Sequence, residues 1–294
     1  MILAGIVALG AAVLFALASV LQQRAASEVS DADAHGTGLI RKLVRRPLWL
    51  AGTATDTLGY VAQAAALGLG SLVLVQPLLA TYLLFALPLG AWMAKRRLGR
   101  RDAVWAALLT GGLAVFLIAG EPTAGVDTAP FEDWVVSGGI LLAATGLALL
   151  VAVRRRSERA VALAVATGIL FGATAALTKS VVSFLDDGLE TIVGSWETYA
   201  LIAVAVAGTY LQQASYQAGS LAETLPPAAV LEPVVGVGLG IAVLQEDLRA
   251  DSGRWLLIAL ATVTMIVATA ALARAQGEAG DAPGTSPAPA LEPT

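Results

Sequence analysis

Long apolar stretches separated by short polar segments run along most of this 294-residue chain. About 20 apolar residues are enough for one helix to cross the hydrocarbon core of a bilayer. The pattern therefore predicts an all-α polytopic membrane protein with nine transmembrane helices. The predicted spans are 2–22, 48–67, 72–94, 103–119, 134–153, 160–185, 199–217, 221–244 and 255–273.

The composition fits this prediction and excludes several other classes of protein. Hydrophobic residues make up 57% of the chain, charged residues only 14%, and the mean hydropathy is +0.77. The chain has no cysteine and a single histidine, His35, which lies in a polar linker where we expect it to be solvated. We find no nucleophile–base set, so no enzyme and no cofactor are predicted. The predicted partner is the lipid bilayer, and nothing indicates a nucleic acid.

The charges are segregated by linker, and this sets the predicted orientation. Of 18 Lys and Arg residues, 14 lie in the linkers after the first, third and fifth spans, whereas the linkers after the fourth and sixth spans are acidic. The positive-inside rule then places the N-terminus outside and the C-terminus in the cytoplasm of a cell (inner) membrane protein. The alternative that the first span is a cleaved signal peptide is disfavoured, because no basic residue precedes it.

The second half of the chain repeats the first at a shift of about 150 residues. Tyr60 then aligns with Tyr210 and Gln63 with Gln213, while the first span aligns with the sixth at a shift of 156. A single connector helix joins the two repeats and so inverts the second one relative to the membrane. Inverted repeats are typical of secondary transporters. The predicted units are repeat 1 (1–120), the connector with its loops (121–159), repeat 2 (160–275) and a disordered tail (276–294).

Two carboxylates are placed where lipid alone could not accommodate them. Glu232 lies near the middle of the eighth span, close to three prolines, and Asp56 lies about 15 Å into the second span, ten residues beyond Arg46. A charge at this depth is costly and is retained where it faces a cavity or a partner. Asp56 shares one helix face with Tyr60 and Gln63. We therefore expect a polar site near the midplane.

Six residues are the candidate substrate ligands, with two interpretations open for each. The carboxylates either bind a solute or coupling proton or form structural hydrogen bonds between helices, and the amides either bind the solute or one another. Lys179, near the end of the sixth span, either extends towards the membrane surface or pairs with a carboxylate in the cavity. The six candidate ligands are Asp56, Tyr60, Gln63, Tyr210, Gln213 and Glu232.

Two segments resemble known transporter families. VLEPVVGVGLGIAVLQEDL, from Val230 to Leu248, resembles the penultimate helix of EamA-type members of the drug/metabolite transporter superfamily. RRPLWLAGTATDTLGYVAQAAALGLGSLVLVQPLLATYLL, from Arg45 to Leu84, resembles the NIPA-type magnesium transporters, which also have nine spans and an outward N-terminus. The NIPA pattern carries a glutamate after the helix 2 glycine, whereas here Tyr60 follows Gly59.

The sequence and the resemblance together lead to one expected function and two alternatives. We expect a secondary transporter of a small polar or cationic metabolite that works by alternating access, in which the carboxylates bind the solute or a coupling proton. The first alternative is a NIPA-like carrier of magnesium or another divalent cation, in which Asp56 and Glu232 would be the metal ligands. The second, of another class, is a non-transporting membrane scaffold or lipid-handling protein.

Overall fold

The computed structural model describes residues 1–27, 46–93, 99–251 and 253–281. His35 and the part of the predicted tail beyond residue 281 lie outside the described residues. The described chain is helical, apart from short connections, one 3₁₀ turn and two short strands. The helices are α1 (Ile2–Ser27), α2 (Pro47–Leu69), α3 (Leu72–Ala80), α4 (Tyr82–Met93), α5 (Arg100–Gly120), α6 (Phe131–Arg154), α7 (Arg159–Ser183), α8 (Leu189–Gly194), α9 (Trp196–Ala218), α10 (Leu221–Ala242) and α11 (Trp255–Asp281); the strands are β1 (Pro122–Thr123) and β2 (Asp247–Leu248).

Small residues allow the helices to approach closely. α1 buries a row of alanines against its neighbours, and its main partner is α2. α7 packs in the same way against α9 and α10, and here glycines face the partner directly. A Cβ atom on Gly172 would lie only 2.6 Å from the Cβ of Val235 on α10. Close backbone contact of this kind is typical of helix packing in membranes, where the hydrophobic effect between helices is absent.

The third predicted span is broken into two helices at Thr81. Pro77 lies inside α3 and offers no N–H to the preceding turn. The backbone N–H and the hydroxyl of Thr81 both donate to Leu78 O, at 3.1 and 2.5 Å, and the chain starts again as α4. The predicted span 72–94 thus consists of two helices, which together still have the length and composition of one membrane crossing.

Antiparallel pairing of β1 with β2 marks one end of the helix bundle, which we call the sheet end. Pro122 pairs with Leu248 and Thr123 with Asp247. α1 begins at this end, since Ala4 contacts Gly70 immediately before α3. α2 and α7 end there, and α3 begins there. We call the other end of the bundle the basic end, because α2 and α5 begin there after Arg46 and Gly99, beside the basic linkers of the sequence.

The last helix is longer than predicted. α11 continues to Asp281, so residues 276–281 are helical, although the sequence predicted a disordered tail from Gln276. Gln276 is buried, and its Nε2 donates to Ser19 Oγ on α1 at 2.6 Å. Arg274 and Glu278 form an ion pair one turn apart, at 3.2 Å. The Gln276 contact holds the extra turns against α1, whereas the ion pair lies within α11 itself. The first is a tertiary effect that the Pro- and Gly-rich composition of the tail does not reveal.

The outer surface of the bundle is apolar. α6, the predicted connector, exposes large aliphatic side chains along its length, among them Val136, Leu142 and Val153, each more than two-thirds exposed. Within the described residues, seven helical segments have the length and composition to cross a membrane. α2 and α9 are as long but are not among these seven. They carry many of the polar residues described below.

Candidate functional site

A polar cavity of about 300 Å³ lies inside the bundle, in the half towards the basic end. Its lining comes from α1, α2, α3, α4, α7, α9, α10 and α11, so it is central to the fold. The described lining includes two carboxylates but no Lys, Arg or His. The polar lining residues are Ser19, Gln22, Asp56, Tyr60, Gln63, Gln76, Tyr82, Gln212, Gln213, Tyr216, Glu232 and Gln276.

The two predicted acids face this cavity from different helices. Asp56 is on α2 and is partly buried, with the Gln22 amide of α1 within hydrogen-bonding reach of its carboxyl. Glu232 is on α10 and is also partly buried. Its helix is positioned by close packing on α7, where a Cβ on Gly172 would lie 2.7 Å from Glu232 O. The structure therefore brings together the two carboxylates that the sequence singled out and gives them a common cavity.

Aromatic rings form much of the remaining wall. The rings of Phe15 and Tyr60 meet edge to face, with centroids 5.0 Å apart and planes at 73°. Gly59 makes this contact feasible, because a Cβ there would lie 2.8 Å from the Phe15 ring. Tyr82 and Tyr216 also line the cavity. Aromatic faces attract cations, so these rings and the two carboxylates favour the same sign of ligand charge.

Five of the six predicted ligands line the cavity, and Tyr210 does not. Gln63 is buried and Gln213 is more exposed, but both contribute to the lining. Tyr210 is 72% exposed, on a face of α9 directed away from the cavity. The α9 tyrosine in the lining is Tyr216, with Gln212 one turn before it. The prediction of Tyr210 as a ligand is therefore not supported by its position, since six residues rotate an α-helix to a different face.

Sequence reasoning missed several amides in the lining, among them Gln22, Gln76 and Gln276. Gln76 is 1% exposed, and its Nε2 is buried without a hydrogen-bond partner within the described chain. The Oε1 atom of Gln276 is also buried without a partner, although its Nε2 bonds to Ser19. A signal was present in the sequence, because Gln76 immediately precedes Pro77 within an otherwise apolar stretch. Buried polar atoms are paired in most structures, so unpaired ones need an explanation.

Lys179 lies outside the cavity, in a buried ion pair at the sheet end. Its Nζ is 2.6 Å from Glu246 Oε1, and the two side chains are 2% and 0% exposed. Glu246 also accepts from the backbone N–H groups of Leu72 and Val73, at 2.8 and 2.9 Å. Asp127 lies 3.8 Å from the same Nζ but is largely exposed. Of the two interpretations of Lys179, pairing with a carboxylate is correct, but its partner Glu246 is not in the cavity.

Fold and surface together define an all-α polytopic membrane protein with an internal polar cavity. The chain belongs to the same family as an uncharacterized protein of Corynebacterium glutamicum. The two are 35% identical over 277 residues, which cover 93% of this chain and 95% of that relative. No family model matches the chain, and no solved structure matches it.

Proposed function

We propose that this protein is a secondary transporter that moves a small polar or cationic solute by alternating access. One observation carries the proposal: Asp56 and Glu232, from different helices, face a single polar cavity. Charged groups within a membrane domain are costly and mark ion or substrate paths by default. A non-transporting scaffold would have no need for such a cavity. Asp56 and Glu232 would bind the solute or a coupling proton.

We further propose that nine helical segments cross the membrane as two inverted repeats. Matching contacts between a glycine and an alanine support this. A Cβ on Gly70 would lie 2.6 Å from the Cβ of Ala4, and a Cβ on Gly219 would lie 2.5 Å from that of Ala160. The first contact is at the sheet end. The second is at the start of α7, at the basic end, as two repeats of opposite orientation would require.

A second pair of contacts supports the repeat and refines its register. Gly59 lies against the ring of Phe15, and Gly208 lies against the ring of Phe171 in the same way. The residues that these glycines contact lie on the first helix of each repeat. Ala4 and Ala160 are 156 residues apart, and so are Phe15 and Phe171, as the sequence alignment predicted. The glycines, however, are 149 residues apart rather than 150. One residue corresponds to about 100° around a helix, which explains why Tyr210 faces outwards.

The buried ion pair lies where the bundle would be closed on one side of the membrane during an alternating-access cycle. Lys179 on α7 and Glu246 after α10 hold the start of α3 at the sheet end, on the sheet side of the cavity. The acidic segments 121–133 and 186–190 lie at this end, whereas Arg46, Arg100 and Arg155 lie at the other, so we propose that the sheet end faces outwards. In this arrangement the outer side is sealed, and the cavity would exchange its solute with the cytoplasm.

We favour an organic solute over magnesium. Glutamine amides, tyrosines and phenylalanines surround the carboxylates, a lining that suits an organic molecule with a few polar groups. Within the described residues there is no cluster of three or more His, Cys, Asp or Glu side chains suited to a metal. Magnesium remains the second candidate because Asp56 and Glu232 share one cavity, and two carboxylates can hold a hydrated ion. The resemblance to EamA-type and NIPA-type transporters supports both.

Ligand screening followed by transport assays would test the proposal. Purified protein in lipid nanodiscs is screened by thermal shift against organic cations, other small metabolites and Mg²⁺, and each hit is assayed for uptake into proteoliposomes. Asp56→Asn and Glu232→Gln keep the side-chain volume but remove the charge, so we expect folded protein without uptake. Tyr210→Phe, on the outer face of α9, is the control and should transport normally. Near-normal uptake by both acid variants would overturn the proposal.

A further inference from the structure

Gln76 is a cavity residue whose amide donor has no hydrogen-bond partner among the described residues. Its side chain lines the cavity, yet the residue is 1% exposed and its Nε2 donates to no described group. Packing rather than hydrogen bonding holds it in place, because a Cβ on Gly236 would lie 2.9 to 3.1 Å from its Cγ, Cδ and Nε2 atoms. The amide is thus fixed in position with an unused donor. A buried donor of this kind fits a ligand that brings an acceptor.

The position of Gln76 relative to the two acids predicts how a ligand would be oriented in the cavity. Gly236 follows Glu232 by four residues on α10, so it lies about 6 Å nearer the sheet end along the helix. The Gln76 amide against it therefore lies at the end of the cavity nearer the sheet end. Asp56 on α2 and Glu232 on α10 line the same cavity nearer its middle. A ligand that reaches Gln76 therefore also lies beside the two carboxylates.

The charge of the described lining limits which chemical groups the two ends of such a ligand can carry. Two carboxylates and several aromatic rings, without a basic side chain, favour a cationic group, and aromatic walls are a common way to bind alkylated ammonium ions. A carboxylate on the ligand would add negative charge beside Asp56 and Glu232. The acceptor that meets Gln76 should therefore be a neutral oxygen.

We infer that the site takes an organic ammonium compound with a neutral hydroxyl or carbonyl oxygen. The ammonium group lies between Asp56 and Glu232, and the oxygen accepts a hydrogen bond from Gln76 Nε2. The inference rests on the proposed transport function and names its substrate class.

Two matched pairs of probes test this assignment. Choline and n-propyltrimethylammonium have nearly the same shape, but a hydroxyl in the first is a methyl group in the second; ethanolamine and n-propylamine form an unmethylated pair. Binding is measured by calorimetry with the full-length protein in lipid nanodiscs. We expect wild type to bind the hydroxyl compound of at least one pair about tenfold more tightly or better, because the analogue leaves the Gln76 donor unpaired.

Variants then locate the group that recognises the oxygen. Gln76→Leu should abolish the preference for the hydroxyl compound and leave the affinity for its alkyl analogue unchanged or higher. Gln217→Leu, at an exposed amide of α9 that does not line the cavity, should keep the preference. If Gln76→Leu does not fold, Gln76→Asn replaces it, since the shorter amide withdraws the donor and should reduce the preference.

The outcomes separate this inference from the proposed function. Equal binding of both members of each pair to wild type would overturn the role of Gln76 but leave the cation site intact. A preference that is retained in Gln76→Leu would also overturn it. If wild type binds none of the four cations, the proposed cation site itself is wrong.

Discussion

Lys179 Nζ lies 2.6 Å from Glu246 Oε1, and neither side chain reaches the surface. The same carboxylate accepts the first backbone N–H groups of α3, Leu72 N and Val73 N. One buried acid therefore joins the end of α7, the segment after α10 and the start of α3. An acid at a helix N-terminus is favourable for the helix dipole as well as for the unpaired N–H groups. This contact closes the sheet end of the bundle.

Removing the charge of Lys179 should destabilise the protein strongly. Lys179→Met keeps the aliphatic stem but leaves Glu246 buried without its cation, and breaking a buried pair from one side typically costs about 3–5 kcal/mol. We expect a loss of that order in the free energy of unfolding, measured by denaturant titration in mixed micelles. The double variant Lys179→Met/Glu246→Gln should be more stable than Lys179→Met, because it no longer buries an uncompensated charge.

The exposed pair between Arg155 and Glu158 provides the control. These side chains are 67% and 50% exposed and 3.0 Å apart. Arg155→Met should change stability by less than about 1 kcal/mol, as is usual for surface pairs. A similarly small effect of Lys179→Met would show that the buried pair does not stabilise this fold.

Two glycines of the helix bundle should respond to alanine in opposite directions. Gly172 faces α10, and a Cβ there would lie 2.6 Å from Val235 Cβ and 2.7 Å from Glu232 O, so Gly172→Ala should push α7 and α10 apart and cost about 1–3 kcal/mol. Gly146 on α6 has open space around it, and Gly146→Ala should stabilise by about 0.4–1 kcal/mol. Thermal unfolding of the two variants side by side measures both. A harmless Gly172→Ala would mean that the two helices are not packed this closely.

The apolar stretches of the sequence located the membrane helices, and the carboxylates inside those stretches located the two cavity acids. Both features leave a local signal in the sequence. An apolar stretch of sufficient length predicts a helix, and a carboxylate inside it predicts a polar environment. The pairing of Lys179 with Glu246 was not predictable in this way, since Glu246 follows the last turn of α10, where an acid is normally solvated. Only the fold of the chain at Gln245, which has a left-handed φ of 54°, directs Glu246 inwards.

The rotation of each helix was the other feature that the sequence did not determine. Aligning Tyr60 with Tyr210 matched residue types, but packing against Phe15 and Phe171 follows the neighbouring glycines instead. In a chain so rich in alanine and leucine, many registers match almost equally well. The choice among them depends on tertiary contacts between backbones. Gln76 was missed for the same reason, because its orientation towards the cavity is set by its contact with Gly236.

The proposed orientation can be tested directly, because the chain contains no cysteine. Asp187→Cys, in the exposed segment between α7 and α8, should react with a membrane-impermeant maleimide added to intact cells. Ser157→Cys, exposed between α6 and α7, should react only after the cells are opened. Gly125 is unsuitable as a labelling site, since a Cβ there would lie 2.0 Å from Leu244 O. The reverse labelling pattern would contradict an outward-facing sheet end.

The choice between an organic solute and magnesium depends on the site, because one fold can serve both. Magnesium requires near-octahedral oxygen coordination and usually retains several waters beside one or two carboxylates. Asp56 and Glu232 meet that minimum, but the faces of the Phe15 and Tyr60 rings supply no oxygen ligand to a metal ion. We therefore expect that this protein, expressed in the membrane of a magnesium-uptake-deficient strain, does not restore growth at low magnesium. Restored growth that is lost in Asp56→Asn but kept in Tyr210→Phe would overturn this expectation and identify the cavity as a magnesium path. Absence of growth in cells with confirmed membrane expression would favour the organic cation, since the carboxylates would then serve a larger ligand that the aromatic wall also contacts.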